Sequence, residues 1–321
     1  MPETTDPIDL KILEILEKNA RTNLKQIAKE CELSSSAILT RINKLKKNGT
    51  IIGFGLFLRQ GALGYPYEAT IGITAEIPKT QSVAEEIRKQ PNVIVCTKSI
   101  GRFNMCCFVI AKNMEEFDRV THKIKDANGV KSIAINIVLR HYEKYEEVTE
   151  NSSDMNIVPD EDEVAIIKEL LIDSRTPFIR IGKKLVLSHE TVGKKFEHLK
   201  EKGIIKRCSA IIDYSKLGYQ GTVFVFISLI QGSNKSSVIS ELTKLSYFNR
   251  INSVMGTFDI VGLARFRNLR DFTKMMADIQ QIPSIGQMDM CLANFTYFAY
   301  TPLPRTPFEC DTVELSQADL H

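Results

Sequence analysis

The sequence predicts an α+β chain made of two copies of one unit. Each copy is a winged helix-turn-helix followed by a ferredoxin-like βαββαβ domain. One observation is an internal repeat. A shift of 154 residues lays NARTNLKQIAKECELS (Asn19–Ser34) on DSRTPFIRIGKKLVLS (Asp173–Ser188), Gly49 on Gly203, and Leu63-Gly64-Tyr65 on Leu217-Gly218-Tyr219. With one residue more, GRFNM at Gly101 falls on GTFDI at Gly256, and Phe117 on Phe272. A single register held across separate motifs marks a repeat rather than coincidence. The other observation is that the apolar period within each copy changes from helical to strand-like.

The elements follow in order. Ile8, Ile12, Leu13, Ile15 and Leu16 form one helical face, and Asp6 or Asp9 suits the positive N-terminal end of that helix. Leu24, Ile27 and Ala28 begin a second, short helix. Ser34 is placed to cap a third, whose Ile38, Ile42 and Leu45 make one buried stripe and which Gly49 ends. The β-prone TIIGFGLFL then predicts a hairpin wing. Beyond it, YEATIGITAEI reads as a strand, SVAEEIRKQ as a helix, NVIVCTKSI as a strand and GRFNMCCFVIA as a turn and strand. MEEFDRVTHKIKD reads as a second helix and VKSIAINIVLRHY as a last strand. The expected boundaries are winged helix-turn-helix domains over 1–60 and 159–215, ferredoxin-like domains over 66–145 and 220–301, an acidic linker over 146–158, and a flexible Pro-rich tail over 302–321.

Composition bounds the function. The chain has 321 residues, room for several cores, and a net charge of only +3, so bulk charge says little about a nucleic-acid partner. No apolar run nears the ~20 residues that span a bilayer, and MPETTDPID lacks the basic and apolar regions of a signal peptide. The expectation is a cytoplasmic protein without a membrane partner. Seven scattered cysteines without CxxC spacing predict buried small hydrophobes, not metal ligands, and adjacent Cys106 and Cys107 should face opposite sides of a strand. No phosphate loop, Ser/His/Asp arrangement or metal-ligand spacing is present, so no cofactor and no catalytic residue are expected.

Charge distribution is more telling than its sum. Between Glu32 and Glu68 there is no acidic residue, yet Arg41, Lys44, Lys46, Lys47 and Arg59 lie there. With the apolar stripe turned inward, the third helix presents Ser35, Ser36, Thr40, Asn43, Lys44 and Lys47 outward. Ser, Thr and Asn can exchange hydrogen bonds with base edges, while Lys44, Lys46, Lys47 and Arg41 can neutralise phosphates. The surface fits double-stranded DNA in the manner of a recognition helix. The matching helix of the second copy keeps Val192, Phe196 and Leu199 inward but presents His189, Glu190, Lys194, Lys195, Glu197 and His198, and Gly193 weakens it by roughly 1 kcal/mol. It either reads a different sequence or mainly grips backbone.

The unit resembles the Lrp/AsnC family, the feast-famine transcription regulators of bacteria and archaea. The resemblance rests on Asp9, Arg21, Leu33-Ser34, Arg41, Leu45, Gly49, Ile51, Leu63-Gly64 and the turn Gly101-Arg102-Phe103-Asn104. In the second copy the matching residues are Glu163, Arg175, Leu187-Ser188, Lys195, Leu199, Gly203, Ile205, Leu217-Gly218 and Gly256-Thr257-Phe258-Asp259. Two units in one chain, Asn104 in place of the turn's Asp, and Ala20 and Ser174 in place of a glycine depart from the family pattern. The resemblance implies a DNA-binding regulator with an amino-acid-like effector held near Gly101, Phe103, Asn104, Gly256, Phe258 and Asp259. Those same turns can equally serve backbone geometry alone. It also implies pairing of the sheet domains, within the chain as a pseudo-dimer and between chains as a homo-oligomer, through an open apolar face supplied by Ile71, Ile73, Met105, Cys107 and Val109. Two rivals remain. The same pair of folds resembles sirohaem decarboxylases, for which His122, His141, His189 and His198 would be the candidates, and a ligand sensor that does not bind DNA would look alike.

Overall fold

A computed structural model describes residues 6–143, 149–150 and 159–293. The first head comprises α1 (Pro7–Lys18), α2 (Leu24–Cys31), α3 (Ser35–Lys47) and the strand β1 (Ile51–Leu58). Asp6 caps α1 by accepting from the Ile8 N–H at 2.8 Å, and Ser34 caps α3 by accepting from the Ala37 N–H at 3.2 Å. Next come β2 (Tyr67–Ala75), α4 (Thr80–Arg88), β3 (Val93–Gly101), β4 (Met105–Ala111), α5 (Met114–Lys125), β5 (Val130–Glu143) and the short β6 (Thr149–Glu150). The second half repeats this order. Its head is α6 (Glu161–Ile172), α7 (Phe178–Leu185), α8 (His189–Glu201) and β7 (Ile205–Ile212). Its sheet domain is β8 (Gly221–Leu229), α9 (Lys235–Lys244), β9 (Phe248–Gly256), β10 (Ile260–Phe266), α10 (Leu269–Gln280) and β11 (Ile285–Ala293). Of the expected linker, only 149–150 lies within the described residues, as a strand on β5. The expected tail lies outside them.

The wing differs from expectation. No hairpin forms. Each head contributes a single strand, and β1 pairs antiparallel with β7 of the other head. A lone strand leaves its N–H and C=O groups unpaired, and here each copy supplies the other's partner. The heads lock further at equivalent points: the Ala20 N–H donates to the Cys208 carbonyl at 2.8 Å, and the Ser174 N–H to the Phe54 carbonyl at 2.9 Å. One continuous core results, running from Ile12, Leu16 and Ile38 through Phe54 to Ile166, Val192 and Cys208.

The two sheet domains close on each other. Strand order is β2-β4-β3-β11-β8-β10-β9-β5, and β5 returns to β2, so eight strands form a closed antiparallel barrel. The seams between copies are β3–β11, where Gly101 faces Cys291, and β5–β9, where Asn136 faces Gly256. The apolar face that meets the other copy is not the expected one. Ile71, Ile73, Met105, Cys107 and Val109 lie under α4 and α5. The barrel interior holds Phe103, Cys106, Phe224, Phe226 and Phe258 instead. Both faces of β4 are apolar, so its alternation does not reveal which one the helices cover; on β2, Ala69, Ile71 and Ile73 go under the helices while Thr70 and Gly72 take the other face. Cys106 and Cys107 do face opposite sides, one inside the barrel and one beneath the helices.

Candidate nucleic-acid interface

On α3, Ile38, Ile42 and Leu45 are buried against the head, and Ser36, Thr40, Asn43, Lys44 and Lys47 are exposed, with Ser35 half-buried. Lys44 and Lys47 make no ion pair among the described residues, while Lys46 lies 5.4 Å from the Phe54 ring. Arg41 is placed differently from a phosphate ligand. Its Nη1 donates to Asp9 Oδ1 at 2.7 Å and Asp6 Oδ2 at 2.8 Å. Those bonds, Asp9's first and then Asp6's, raise its pKa. The Ile8 N–H and then Arg41 lower that of Asp6. Arg41 therefore ties α3 to the start of α1.

The same position in the second head behaves alike. Lys195 Nζ sits 2.6 Å from Asp160 and 3.4 Å from Asp162, and its pKa is raised first by the Asp160 hydrogen bond. His198, opposite Lys44 in the repeat, lies 2.7 Å from Glu163. Lys200 pairs with Glu197 at 3.1 Å. His189, Glu190 and Lys194 are exposed. The outward positions thus compare as Ser35, Ser36, Thr40, Asn43, Lys44 and Lys47 against His189, Glu190, Lys194, Glu197, His198 and Glu201. With histidines neutral, the first face carries two positive charges; the second carries one lysine against three glutamates, a net of two negative charges.

The glycine turns sit at the barrel seams. A Cβ on Gly101, at φ +148, would lie 2.1 Å from the Met290 carbonyl oxygen; one on Gly256, at φ +150, would lie 2.1 Å from that of Ile135. Phe103 and Phe258 point into the barrel, each meeting Phe226 at 5.1 and 5.2 Å between ring centroids. The Asn104 side chain is occupied at both ends: its Oδ1 accepts from the Ala75 N–H at 2.9 Å and its Nδ2 donates to the Ala75 carbonyl at 2.7 Å. Asp259 accepts from the Leu229 N–H at 2.9 Å and lies 3.4 Å from Lys235. The glycines thus let the two copies approach at the seams, while Asn104 and Asp259 each bond within their own copy.

Other groups escape a reading of the sequence. Arg21 reaches out of the first head, donating to the carbonyls of Ser174 at 2.7 Å and Thr176 at 3.1 Å, with its guanidinium 4.1 Å from the Phe178 ring. Where wings meet barrel, Glu143 holds Arg250 at 2.6 Å, Arg207 at 2.7 Å and Lys206 at 3.2 Å. Burial raises the Glu143 pKa, but Arg250, Lys206 and Arg207 outweigh it and leave the carboxyl well below its ordinary range. Beside it, His141 contacts Glu68 at 3.0 Å and Asn252 at 2.9 Å. The other candidate histidines each have a local acidic neighbour: His122 with Asp118, His189 with Glu190, and His198 with Glu163. No helix among the described residues is long and apolar enough to cross a membrane.

Comparison with known proteins agrees with the architecture. Residues 5–52 match the winged helix-turn-helix DNA-binding family, and residues 68–148 the Lrp/AsnC ligand binding domain. The HTH-type transcriptional regulator FL11 of Pyrococcus furiosus is 32% identical over 143 residues, 44% of this chain and 95% of that protein. The regulator LysM of Saccharolobus solfataricus is 36% identical over 137 residues, 42% of this chain and 94% of that protein. Among solved structures, the siroheme decarboxylase NirDL aligns over 91% of this chain and 94% of its own, with a TM-score of 0.62 and 17% identity. At that identity the likeness is one of fold. With regulators such as FL11 and LysM matched along nearly their whole length, the chain belongs to the Lrp/AsnC family of transcriptional regulators.

Proposed function

We propose that this regulator reads DNA chiefly through α3 of the first head, and that the second head acts mainly as its structural partner. The observation that carries this is the charge contrast on the two outward faces. Lys44 and Lys47 stand exposed without an ion pair among the described residues, whereas α8 presents Glu190, Glu197 and Glu201. Phosphates supply most of the affinity and its salt dependence, and a glutamate-rich face repels them. In the first head, Ser36, Thr40 and Asn43 are the residues for base edges, and Arg41 positions the helix. A small ligand tunes this contact, a reading supported by the match of residues 68–148 to the family's ligand-binding domain.

The test is a salt titration of binding to a selected duplex. Lys44→Ala/Lys47→Ala should weaken binding about tenfold and flatten the slope of log K against log salt by about 2. Lys194→Ala should change the slope by well under one. Equal slopes for both variants would place the two heads on the same footing and refute the assignment.

A further inference from the structure

The two seams of the barrel differ in what lies just inside them. At one, the Phe258 N–H donates to the Asn136 side-chain oxygen at 3.0 Å; at the other, the Phe103 N–H donates to the Cys291 sulfur at 3.3 Å. Cys291 stands at the place equivalent to Asn136, and Cys106 at the place equivalent to Val261. All four side chains are buried. An amide and a valine therefore serve the fold at one seam where two thiols stand at the other. Those thiols meet, the Cys106 S–H bonding to the Cys291 sulfur. Cys106 also lies 3.7 Å from the Ser99 hydroxyl, which donates to the Phe103 carbonyl at 2.9 Å. The pair thus reaches from β4 of the first copy to β11 of the second, with β3 between them.

The thiols also sit at the shorter seam. Among the described residues, β3–β11 pairs Ser99, Ile100 and Gly101 with Ala293, Leu292 and Cys291, whereas β5–β9 runs from Asn136 opposite Gly256 to Glu143 opposite Arg250. A short ladder opens at lower free energy than a long one, and opening admits water and small solutes. The two thiols are unequal. The Cys106 hydrogen bond lowers the Cys291 pKa, burial opposes it, and the Phe103 N–H adds to the lowering. Burial, and then Cys291, push the Cys106 thiol well up. Cys291 is thus the readier thiolate.

We propose that Cys106 and Cys291 form a redox-sensitive clasp, which closes the β3–β11 seam covalently when the protein meets hydrogen peroxide. The Cys291 thiolate attacks one peroxide oxygen. The O–O bond breaks, leaving Cys291 as a sulfenic acid and releasing hydroxide, which takes up the proton that Cys291 had lost. The Cys106 sulfur then attacks the Cys291 sulfur. An S–S bond forms, the S–O bond breaks, and the Cys106 proton leaves with that hydroxide as a second water. Two thiols have given up two electrons, and the peroxide has become two waters. Small thiols reverse the bond by exchange, so the clasp is transient in a reducing compartment.

The experiment treats the full chain with hydrogen peroxide, maps its disulfides by peptide mass spectrometry and follows amide hydrogen exchange along both seams. A Cys106–Cys291 link should form and dithiothreitol should remove it. Exchange along β3–β11 should slow tenfold or more in the oxidised protein, while exchange along β5–β9 stays as it was. Cys106→Val/Cys291→Asn installs the residues of the other seam. It should unfold near the temperature of the reduced wild type and show no effect of peroxide on seam exchange. Cys96, opposite Cys107 in the β3–β4 register, is the competing pair. A Cys96–Cys107 link or any other pairing in place of Cys106–Cys291 would overturn the proposal. So would the absence of a link, equal seam exchange in the two forms, or the same slowing in the double variant.

Discussion

On α3 the six outward polar positions carry small neutral and cationic residues, while on α8 the same six places carry three glutamates, two histidines and one lysine. Yet behind these faces the heads are nearly superposable in their bonding. Asp6 and Asp160 each cap a first helix and hold a cation of the recognition helix, Arg41 in one head and Lys195 in the other. Ser34 and Ser188 cap the recognition helices, and each head lends its strand to the other. The contacts between copies are alike, and the surfaces that look away from them have diverged. Packing thus fixes one set of residues in both copies, and only the solvent-facing set is free to specialise.

The first way to test this contrast is at the barrel, where the copies should respond equally. Gly101→Ala and Gly256→Ala each drive a Cβ onto a carbonyl of the facing strand, which the other copy supplies at that seam. Each should cost about 3–4 kcal/mol of stability in urea unfolding. A silent substitution at one seam and a severe one at the other would break the equivalence.

The ionic junction is next in size. Glu143→Gln leaves Arg250, Lys206 and Arg207 without that carboxylate and should cost about 3 kcal/mol near neutral pH. The sign follows from the depressed pKa in the folded state. The stabilisation is complete above the ordinary glutamate range and is lost as pH falls through the lower folded value. The gap between wild type and variant should therefore narrow in acid. A gap independent of pH would show that Glu143 acts by packing rather than charge.

Base reading sharpens the contrast between heads. Thr40→Ala/Asn43→Ala should lose ~1–3 kcal/mol of discrimination at one half of a selected site. Glu190→Ala/Glu197→Ala should leave sequence preference alone and tighten binding generally. A relaxed second half-site in the glutamate variant would mean that α8 reads bases too.

The smallest effect is expected at the turn before α8. Val186 is held at φ +57 and is 92% exposed, a costly conformation for a β-branched side chain with nothing to pack on. Val186→Gly should raise stability by about 1 kcal/mol without altering DNA affinity. A loss of affinity would give the second head a direct role.

Much of this was legible beforehand because the signals are local. The caps at Asp6 and Ser34 and the stripe Ile38, Ile42, Leu45 all lie within a few residues of what they determine. The pairing of β1 with β7 was not, because a strand's partner is set by tertiary closure and a hairpin was the nearer alternative. Nor was the covered face of β4, where Cys106, Phe108 and Ile110 are as apolar as Met105, Cys107 and Val109. Nor were the carboxylates that hold Arg41, because its position on the helix says nothing of Asp6 and Asp9 reaching it from α1.

The closed barrel has a consequence for how the regulator behaves when scarce. A barrel assembled from two separate chains comes apart by mass action as concentration falls, and its halves can exchange with those of other molecules. Here both halves share one backbone, and the eight-strand ring leaves neither half an open seam. Dilution therefore leaves the ring whole, and each molecule keeps its two unlike heads together at low copy number as at high.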